Sequence, residues 1–337
     1  MNVVVVGAGF MGTVHAEWYT EMQDVNLLGI VDASAERAES LAKRFGARAS
    51  LDLGAVLESS RVDIVDVCVP TYLHKDYILQ AAAAKAHVIA EKPLALTAQD
   101  AKVCIDACEA AGVRLFVGQV VRFFPEYKQI RELVAAGGVG QVGTARALRG
   151  GSFPQGWNNW YKDPEKSGSM IVDLMIHDFD FLRWCFGEVE RVYAKSLGGG
   201  QLSGMDHALV SLRFKSGVIA HVEGTWAQPA GFATEIEIAG SLGMVQHKSS
   251  ESITVQLQKR EADKQSAGVE IPSSPLERSP YYLELAHFLD CIRGKAEPLV
   301  TPDDALRALE IGLAAATSAR TGGVVELSGP IEGGMSV

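Results

Sequence analysis

The chain contains few cysteines and lacks any long apolar run. Its five cysteines among 337 residues are an odd number without a Cys-x-x-Cys pair, which favours reduced thiols in a reducing compartment. No apolar stretch is long enough to cross a bilayer, and the apolar N-terminal residues have no basic region before them. We therefore expect a cytoplasmic protein without a membrane partner.

An excess of basic residues is also missing. The 31 lysines and arginines are outnumbered by 41 aspartates and glutamates, which gives a formal net charge of -10. Since no basic stripe is present, nucleic acid is a poor partner. With 47% hydrophobic and 21% charged residues, the chain can bury a sizeable core. This composition agrees with a globular enzyme that acts on a small molecule.

A glycine-rich motif opens the sequence. The β-branched run Val3 to Val6 leads into Gly7-Ala8-Gly9-Phe10-Met11-Gly12 and then into a helical pattern. Strand, glycine turn and helix in this order favour a dinucleotide site, where backbone approaches the pyrophosphate and the helix N-terminus supplies amide donors. Asp32 follows Gly12 by 20 residues, where a carboxylate would bind the adenosine ribose hydroxyls. The alternative is a chance turn in an ordinary α/β protein.

Strands and helices alternate as far as about residue 121. The apolar run Ile64 to Val69 is typical of a strand buried on both faces of a parallel sheet, and His87 to Ala90 is another strand. The strand ends of a doubly wound sheet face one ligand crevice. We therefore predict an NAD(P)-binding Rossmann domain over residues 1–121. Its expected cofactor-binding residues are Gly7, Gly9, Phe10, Met11, Gly12, Asp32, Pro70, Thr71, His74, Glu91, Lys92 and Gln119.

The hydrophobic period becomes two in the second half of the chain. From Arg191 to about Arg260, turns at 215–217 and 240–243 join apolar strands as hairpins, and Ile253 to Leu257 is the last strand of this set. Polar residues 262–275 are expected to be a surface excursion. We predict that residues 122–337 form an α/β domain with a large, mostly antiparallel open sheet, which binds the substrate and mediates oligomerisation.

A long helical run over Met170 to Phe186 contains Asp173 and His177. Their spacing of four residues puts them on one helix face, so that the carboxylate can orient the imidazole and stabilise its charged form. Oxidation of a secondary alcohol needs a base and a group that stabilises the developing oxyanion. We assign His177 as the general acid/base, Asp173 as its orienter or a substrate hydroxyl acceptor, and Lys92 as the polariser of the reacting oxygen. The histidine and the lysine can exchange these roles.

Other interpretations of these residues are less well supported. His177 alone could be a satisfied, half-buried histidine. Asp173, His177 and Asp178 are legitimate zinc ligand types, but no HExxH-like pair or cysteine cluster accompanies them, and we predict no metal.

The loop before this helix, residues 157–161, can lay aromatic rings and amides against a polyol, or can be a lid packed on its own aromatics. The expected substrate-binding residues are Lys92, Arg122, Trp157, Asn158, Tyr161, Asp173 and His177.

Together the motifs resemble those of the glucose-fructose oxidoreductase and inositol dehydrogenase (Gfo/Idh/MocA) family over essentially the whole chain. The motifs that carry the resemblance are the glycine turn, Glu91-Lys92-Pro93, Gly118 followed by Arg122-Phe123 and Pro125, and Gly168 with Asp173-x-x-x-His177-Asp178. The resemblance implies a Rossmann domain followed by an α/β domain whose open sheet forms the subunit interface of a homodimer or homotetramer. It also implies that Lys92, Asp173 and His177 face the substrate beside the nicotinamide.

We therefore expect a dehydrogenase that transfers a hydride between a ring secondary alcohol of a sugar or cyclitol and NAD. NADP is disfavoured because Asp32 would repel its 2′-phosphate. Arg37 could swing over such a phosphate, but it is expected to be a solvated charge in the first turn of its helix. Inositol itself is not assigned, because Val120-Val121-Arg122-Phe123 lacks the arginine pair before an aromatic of inositol dehydrogenases. The alternatives are another reaction on this scaffold (an imine or biliverdin-type reductase, or an NAD-assisted glycosidase) and a non-catalytic dinucleotide-binding regulator.

Overall fold

The computed structural model describes residues 1–197, 206–229, 231–250 and 278–327. Contacts divide the described chain into two compact units: one contains Met1–Phe123 and the residues from 278 to Leu306, and the other contains the rest. The predicted strand Ile253 to Leu257 and the polar excursion over 262–275 lie outside the described residues. Within the described ranges, no helix combines the length and the apolar character that a membrane span requires.

The first unit is built on a six-stranded parallel sheet, which confirms the predicted doubly wound fold. Its strands are β1 (Asn2–Val6), β2 (Asn26–Val31), β3 (Arg48–Ser50), β4 (Ile64–Val67), β5 (His87–Ala90) and β6 (Leu115–Val117). They lie in the order β3-β2-β1-β4-β5-β6, and every neighbouring pair is parallel. Val3 to Val6 are fully buried in the central strand. The strand order reverses between β1 and β4, which is the switch point where such sheets bind dinucleotides.

The α-helices of this unit within residues 1–123 are α1 (Phe10–Glu21), α2 (Ala35–Phe45), α3 (Leu53–Ser59), α4 (His74–Ala83) and α5 (Ala98–Ala111). Two of these five, α2 and α5, begin at capping side chains and end at left-handed glycines. The side chains of Ser34 and Thr97 accept backbone N–H groups in the first turns of α2 and α5. Gly46 and Gly112, with φ of 71° and 69°, end the same two helices.

The second unit contains a seven-stranded sheet and short helices. In chain order as far as β12, its elements are α6 (Pro125–Ala135), β7 (Val142–Gly150), α7 (Pro164–Ser167), α8 (Ser169–Asp173), α9 (Ile176–Phe186), β8 (Val189–Leu197), β9 (His207–Phe214), β10 (Ile219–Thr225), β11 (Ala233–Gly240) and β12 (Gly243–Lys248). The hairpins β9–β10 and β11–β12 form where the turns were predicted. Among the described strands of this sheet, only β7 and β10 pair in parallel, so the sheet is mostly antiparallel, as predicted.

Three further elements complete the described chain: α10 (Pro280–Ile292), α11 (Pro302–Thr321) and β13 (Val325–Glu326). The strand order of the large sheet is β12-β11-β7-β10-β9-β8-β13. One face of this sheet is core: Val210, Leu212 and Phe214 are buried. On the opposite face of the same strand, Leu209 is 53% exposed. The alternation along β9 therefore has the predicted period of two, with one face of the sheet left open in the single chain.

Helix α10 belongs to the first unit, although almost two hundred residues separate its start from the end of β5. The Phe288 ring stacks on Phe116 of β6 with centroids 4.9 Å apart, and Tyr282 packs edge-on against Trp18 of α1 at 5.7 Å. Leu285 and Leu289 are buried in the same core cluster. The first unit is therefore assembled from two separate stretches of the chain.

Candidate functional site

The turn after β1 has the shape of a phosphate cradle. Gly7 has a φ of 106°, and a Cβ atom there would overlap the Cys68 carbonyl oxygen. A Cβ at Gly12 would overlap the Gly7 carbonyl oxygen, so this glycine allows α1 to pack closely on β1. Gly9 differs, because a Cβ there would meet nothing within 4 Å and its φ of -83° suits any residue. The fold does not require glycine at this position, but backbone contact with a pyrophosphate does.

Phe10 and Met11 are the first two residues of α1, directly after this open space. No side chain caps the helix at Gly9, which leaves the first amide N–H groups of α1 directed towards the cradle. Phe10 is 37% exposed and Met11 is half-buried. A helix N-terminus of this kind supplies donors and a positive dipole end to a phosphate.

Asp32 lies at the carboxyl end of β2 and is buried. Its Oδ2 accepts the Ala8 N–H at 2.8 Å, and its Oδ1 accepts the Ser34 N–H at 2.8 Å. Arg37 donates to Oδ1 from Nε at 3.1 Å and from Nη2 at 2.5 Å. The expectation that Arg37 is merely a solvated helix charge is therefore wrong: its guanidinium is ion-paired to the residue predicted to bind the ribose.

Two buried polar side chains lie beyond the ends of β4 and β6. His74 donates from Nε2 to the Val69 carbonyl at 2.9 Å, and burial lowers its pKa, so the ring is neutral and Nδ1 is an acceptor. Neither this Nδ1 nor the amide oxygen and nitrogen of Gln119 has a hydrogen-bond partner in the described part of the chain. Such buried, unpaired polar atoms require a partner, and the amide and ribose groups of a dinucleotide fit them. Pro70 is half-buried and Thr71 fully buried at the same strand end.

Glu91 and Lys92 follow the last residue of β5. Glu91 is buried, and its Oε2 accepts the Lys92 backbone N–H at 3.1 Å. A Cβ at Gly118, just after β6, would contact the Glu91 carboxyl group at 3.5 Å, so the neighbouring strand ends are tightly packed. The Lys92 side chain is half-buried. All the predicted cofactor residues thus lie at the carboxyl ends of the parallel strands or in the first turns that follow them.

Asp173 and His177 lie in the second unit, but not within one continuous helix as predicted. Helix α8 ends at Asp173 and α9 begins at Ile176. Leu174 and Met175 keep right-handed helical backbone angles, but the Met175 N–H bonds to the Met170 carbonyl, five residues back, so the regular α-helical hydrogen bonding is interrupted between the two predicted side chains. Asp173 is therefore the last residue of one helix, and His177 stands in the first turn of the next. Asp173 is buried and His177 is half-buried.

A buried ion pair anchors the start of α9. Arg149 of β7 donates from Nε and Nη2 to the two carboxyl oxygens of Asp178, at 2.7 and 2.9 Å. Both side chains are buried, and a bidentate pair of this kind fixes geometry as well as charge. Since Asp178 directly follows His177, this pair fixes the backbone that carries the predicted acid/base. Both carboxyl oxygens of Asp178 accept hydrogen bonds from Arg149, a residue that the sequence analysis did not identify.

The aromatic loop forms a 3₁₀ helix over Trp157–Lys162. Trp160 and Tyr161 stack with centroids 3.9 Å apart, and Tyr161 also meets the Trp226 ring edge-on at 6.1 Å. Trp157, by contrast, is 45% exposed. Asn158 has a left-handed φ of 52°. The lid interpretation describes Trp160 and Tyr161, which pack on other aromatics, and the interpretation of Trp157 as a polyol contact stays a prediction.

The Arg122 side chain forms hydrogen bonds to other residues of the first unit. Only 2% of it is exposed, and its Nη1 donates to the Leu299 carbonyl at 2.9 Å and to Asp304 Oδ2 at 3.2 Å. The side chain thus holds the turn that precedes α11. These contacts give Arg122 a structural role, and the substrate assignment made from the sequence is not carried into the proposal below.

One cluster of possible metal ligands occurs in the described residues, formed by His15, Asp66 and Cys68. It is distinct from the Asp173, His177 and Asp178 set considered from the sequence. A sequence signal for it exists: Asp66 is an acid inside a buried apolar strand, where a carboxyl group needs a partner. His15 and Tyr19, one helical turn apart on α1, provide hydrogen bonds to it at 2.8 Å each.

The switch point, the phosphate cradle and the unpaired polar atoms together have the features of a dinucleotide-binding site. The chain belongs to the Gfo/Idh/MocA family, which confirms the resemblance seen in the motifs. Residues 1–119 match the oxidoreductase family with an NAD-binding Rossmann fold. Residues 127–246 match the Gfo/Idh/MocA C-terminal domain.

Individual relatives match over nearly their full length. A myo-inositol 2-dehydrogenase of Thermotoga maritima is 31% identical, with 94% of this chain and 96% of the relative covered. The scyllo-inositol 2-dehydrogenase (NAD(+)) of Bacillus subtilis is 30% identical, with 97% and 96% covered. Among solved structures, GenD2 from gentamicin A biosynthesis in complex with NAD has a TM-score of 0.87 at 28% identity, with 98% of this chain and 97% of that chain covered.

Proposed function

We propose that the protein is a dehydrogenase that transfers a hydride between NAD and a ring secondary alcohol of a sugar or cyclitol. The observation that supports this most strongly is the arrangement of the glycine turn, Asp32 and Lys92 at the carboxyl ends of β1, β2 and β5 in one parallel sheet. These ends face the same crevice. The inositol dehydrogenases among its relatives support a cyclic polyol as the substrate class.

Each proposed catalytic side chain has a distinct task. When bound, the nicotinamide supplies the hydride acceptor. His177 takes the hydroxyl proton as the general base, Asp173 orients the imidazole or accepts a substrate hydroxyl, and Lys92 stabilises negative charge on the reacting oxygen. The Arg149–Asp178 pair holds the backbone next to His177. In the reverse direction the same groups return the proton.

NAD is proposed as the preferred cofactor. Asp32 already accepts two backbone N–H groups and the Arg37 guanidinium, and a carboxylate here repels a 2′-phosphate. Arg37 is held on that carboxylate and would have to leave it to bind a phosphate. Kinetics with NAD+ and NADP+ on one substrate should show a clear NAD preference. Equal efficiency with both cofactors contradicts this part of the proposal.

A substrate panel tests the reaction itself. Cyclitols, free aldoses and glycosides are incubated with NAD+ and with NADP+, and NADH formation is followed by absorbance. We expect turnover on at least one cyclic polyol or sugar. Consumption of a substrate without net NADH would favour an NAD-assisted reaction on the same scaffold instead. No turnover on any compound would favour a dinucleotide-binding regulator.

A cytoplasmic location, suggested by the cysteine pattern, is likewise proposed.

A further inference from the structure

Next to Glu91, at the carboxyl end of β5, lies a buried group of ionisable side chains that the reaction above does not use. His15 of α1 is 1% exposed, and Asp66 of β4 is fully buried. The His15 Nδ1 lies 2.8 Å from Asp66 Oδ2, and its Nε2 lies 3.3 Å from Oε1 of Glu91. The second contact is a close charge contact without hydrogen-bond geometry in the described structure. His15 therefore stands between two carboxyl groups, one of which precedes Lys92.

The surroundings of His15 favour its charged form. Burial opposes the imidazolium, but the Asp66 carboxylate and the Cys68 sulfur, which lies 3.3 Å from His15 Nδ1, outweigh it, and the pKa of His15 is raised well above its usual value. Tyr19 donates to the same Asp66 oxygen at 2.8 Å, and the Cys68 sulfur lies 3.4 Å from the other oxygen. Burial and Asp66 raise the pKa values of both Tyr19 and Cys68. These two groups are therefore neutral, and His15 is the cation of the cluster.

The cluster is poorly suited to pass protons to water. Asp66 and Tyr19 are completely buried, and the one half-buried member is Cys68, a thiol whose pKa is raised by burial and by Asp66. A relay for the proton released by the reaction needs a group that exchanges protons readily with solvent, and a thiol of raised pKa does not do so. What the arrangement does provide is a fixed positive charge against the Glu91 carboxyl group.

We propose that His15 is a positioning residue: as a buried imidazolium held by Asp66, it fixes the Glu91 carboxyl group and, through it, the Lys92 backbone. The link to Lys92 is the 3.1 Å hydrogen bond from its N–H to Glu91 Oε2. This inference rests on the proposed function, because it assigns His15 to the alignment of the proposed polarising lysine. An error of about 1 Å in such alignment lowers turnover on the order of a hundredfold.

Kinetics of four variants test the coupling. His15→Gln keeps the size of the side chain but removes the charge, Glu91→Gln removes its partner, and the double variant combines them. Tyr19→Phe is the matched control, because it removes another donor to Asp66 without touching Glu91. We expect His15→Gln to lower kcat on the order of ten- to a hundredfold with NADH affinity, measured by fluorescence, nearly unchanged. The double variant should be no slower than the slower single variant, and Tyr19→Phe should resemble the wild type.

Two kinetic results would overturn the proposal: a wild-type kcat in His15→Gln, or losses that simply multiply in the double variant. Nitrogen-15 NMR of the histidine rings provides a readout that needs no substrate. One imidazolium signal should persist above about pH 8, where an ordinary histidine is neutral, and should be missing in His15→Gln. If no such signal exists in the wild type, the proposal that a charged His15 positions Glu91 is refuted, even if the variants fail to fold. A stoichiometric metal in the purified protein, lost in His15→Gln, would overturn it in favour of a metal site.

The NMR result also separates this inference from the proposed function. If the sugar panel shows no turnover, the dehydrogenase proposal fails, while the imidazolium signal still decides whether His15 is charged. If turnover is found and the signal is absent, the dehydrogenase stands and the positioning role falls.

Discussion

Lys92 and His177 are the residues whose loss should separate chemistry from cofactor binding. A positioned acid or base contributes about a hundred- to ten-thousandfold, so Lys92→Met and His177→Ala should each lower kcat by about that factor. NAD binding should persist, since the glycine turn and Asp32 carry it. Steady-state kinetics at saturating NAD+ and a fluorescence titration of NADH measure the two effects. Lys102→Met, at an exposed position of α5, is the control. Near wild-type kcat in His177→Ala across pH would remove its acid/base role.

His15 should also give the folded state a characteristic pH dependence. Because its pKa is raised on folding, the stabilisation is complete below the unfolded value of about 6.5 and is lost as pH rises through the folded pKa. The difference in unfolding free energy between wild type and His15→Gln should therefore be largest in mild acid and shrink in alkali. Urea unfolding at several pH values measures it. A difference that grows with pH would show that His15 is neutral in the folded protein.

At the scale of elements, the glycines in the turn between β1 and α1 serve two purposes. Gly12 is required by the packing of the fold, whereas Gly9 is required only by a bound pyrophosphate. Gly9→Ala should leave stability unchanged, because its Cβ would meet no atom within 4 Å, yet weaken NAD binding by about 1–3 kcal/mol through contact with the pyrophosphate. Gly12→Ala should lower stability, since its Cβ would overlap the Gly7 carbonyl oxygen. Urea unfolding and NADH titration of both variants compare the two. Equal NAD affinity in Gly9→Ala and wild type would place the phosphates elsewhere.

The elements that the sequence predicts well are those with a strong apolar pattern. Val3 to Val6 and Ile64 to Val69 are recognisable because strands buried on both faces are mostly apolar, with Asp66 as the one exception in the second run. The strand β3 (Arg48–Ser50) offers no such signal: it has three residues and none is buried. The break after Asp173 was missed because Leu174 and Met175 continue an apolar helical period, and a pattern of side chains does not show a change in backbone hydrogen bonding.

The candidate site divides in the same way. The glycine turn and Asp32 are predictable because their spacing along the chain reflects a local strand-turn-helix geometry. The His15 contact with Glu91 depends on how three elements pack, and no local spacing reveals it. The Arg149–Asp178 pair joins β7 to α9 across 29 residues, and Arg122 is taken up by a turn 177 residues away. Charged residues of this kind look like surface or ligand groups until their partners are known.

At the scale of the whole molecule, the open face of the large sheet predicts a homo-oligomer. Tyr193, Leu209, Ile219 and Met244 are 38%, 53%, 37% and 54% exposed, and the strand registers put them on one face. Apolar groups gathered on an exposed surface mark an association site. Light scattering at micromolar concentration should show a dimer or a tetramer, the tetramer resting on family resemblance alone. A monomer would refute the prediction.

A charge in the middle of that face tests where association occurs. Leu209→Glu should dissociate the assembly, because a carboxylate buried at an interface without a partner is strongly unfavourable. Leu51→Glu is the matched control, since Leu51 is 60% exposed and lies in the first unit. Light scattering of both variants compares their masses. If Leu51→Glu dissociates the assembly and Leu209→Glu does not, the interface lies elsewhere.

The return of α10 to the first unit constrains the order in which the protein matures on the ribosome. Phe116 and its neighbours emerge early, but the Phe288 ring that covers them is synthesised more than 150 residues later. The nascent dinucleotide domain must therefore wait with an apolar patch uncovered while the large sheet is being made. Such a delay is a period of exposure to aggregation and to chaperones. A ribosome stalled before residue 280 should accordingly carry a protease-sensitive first domain, and one stalled well beyond residue 306 a resistant one.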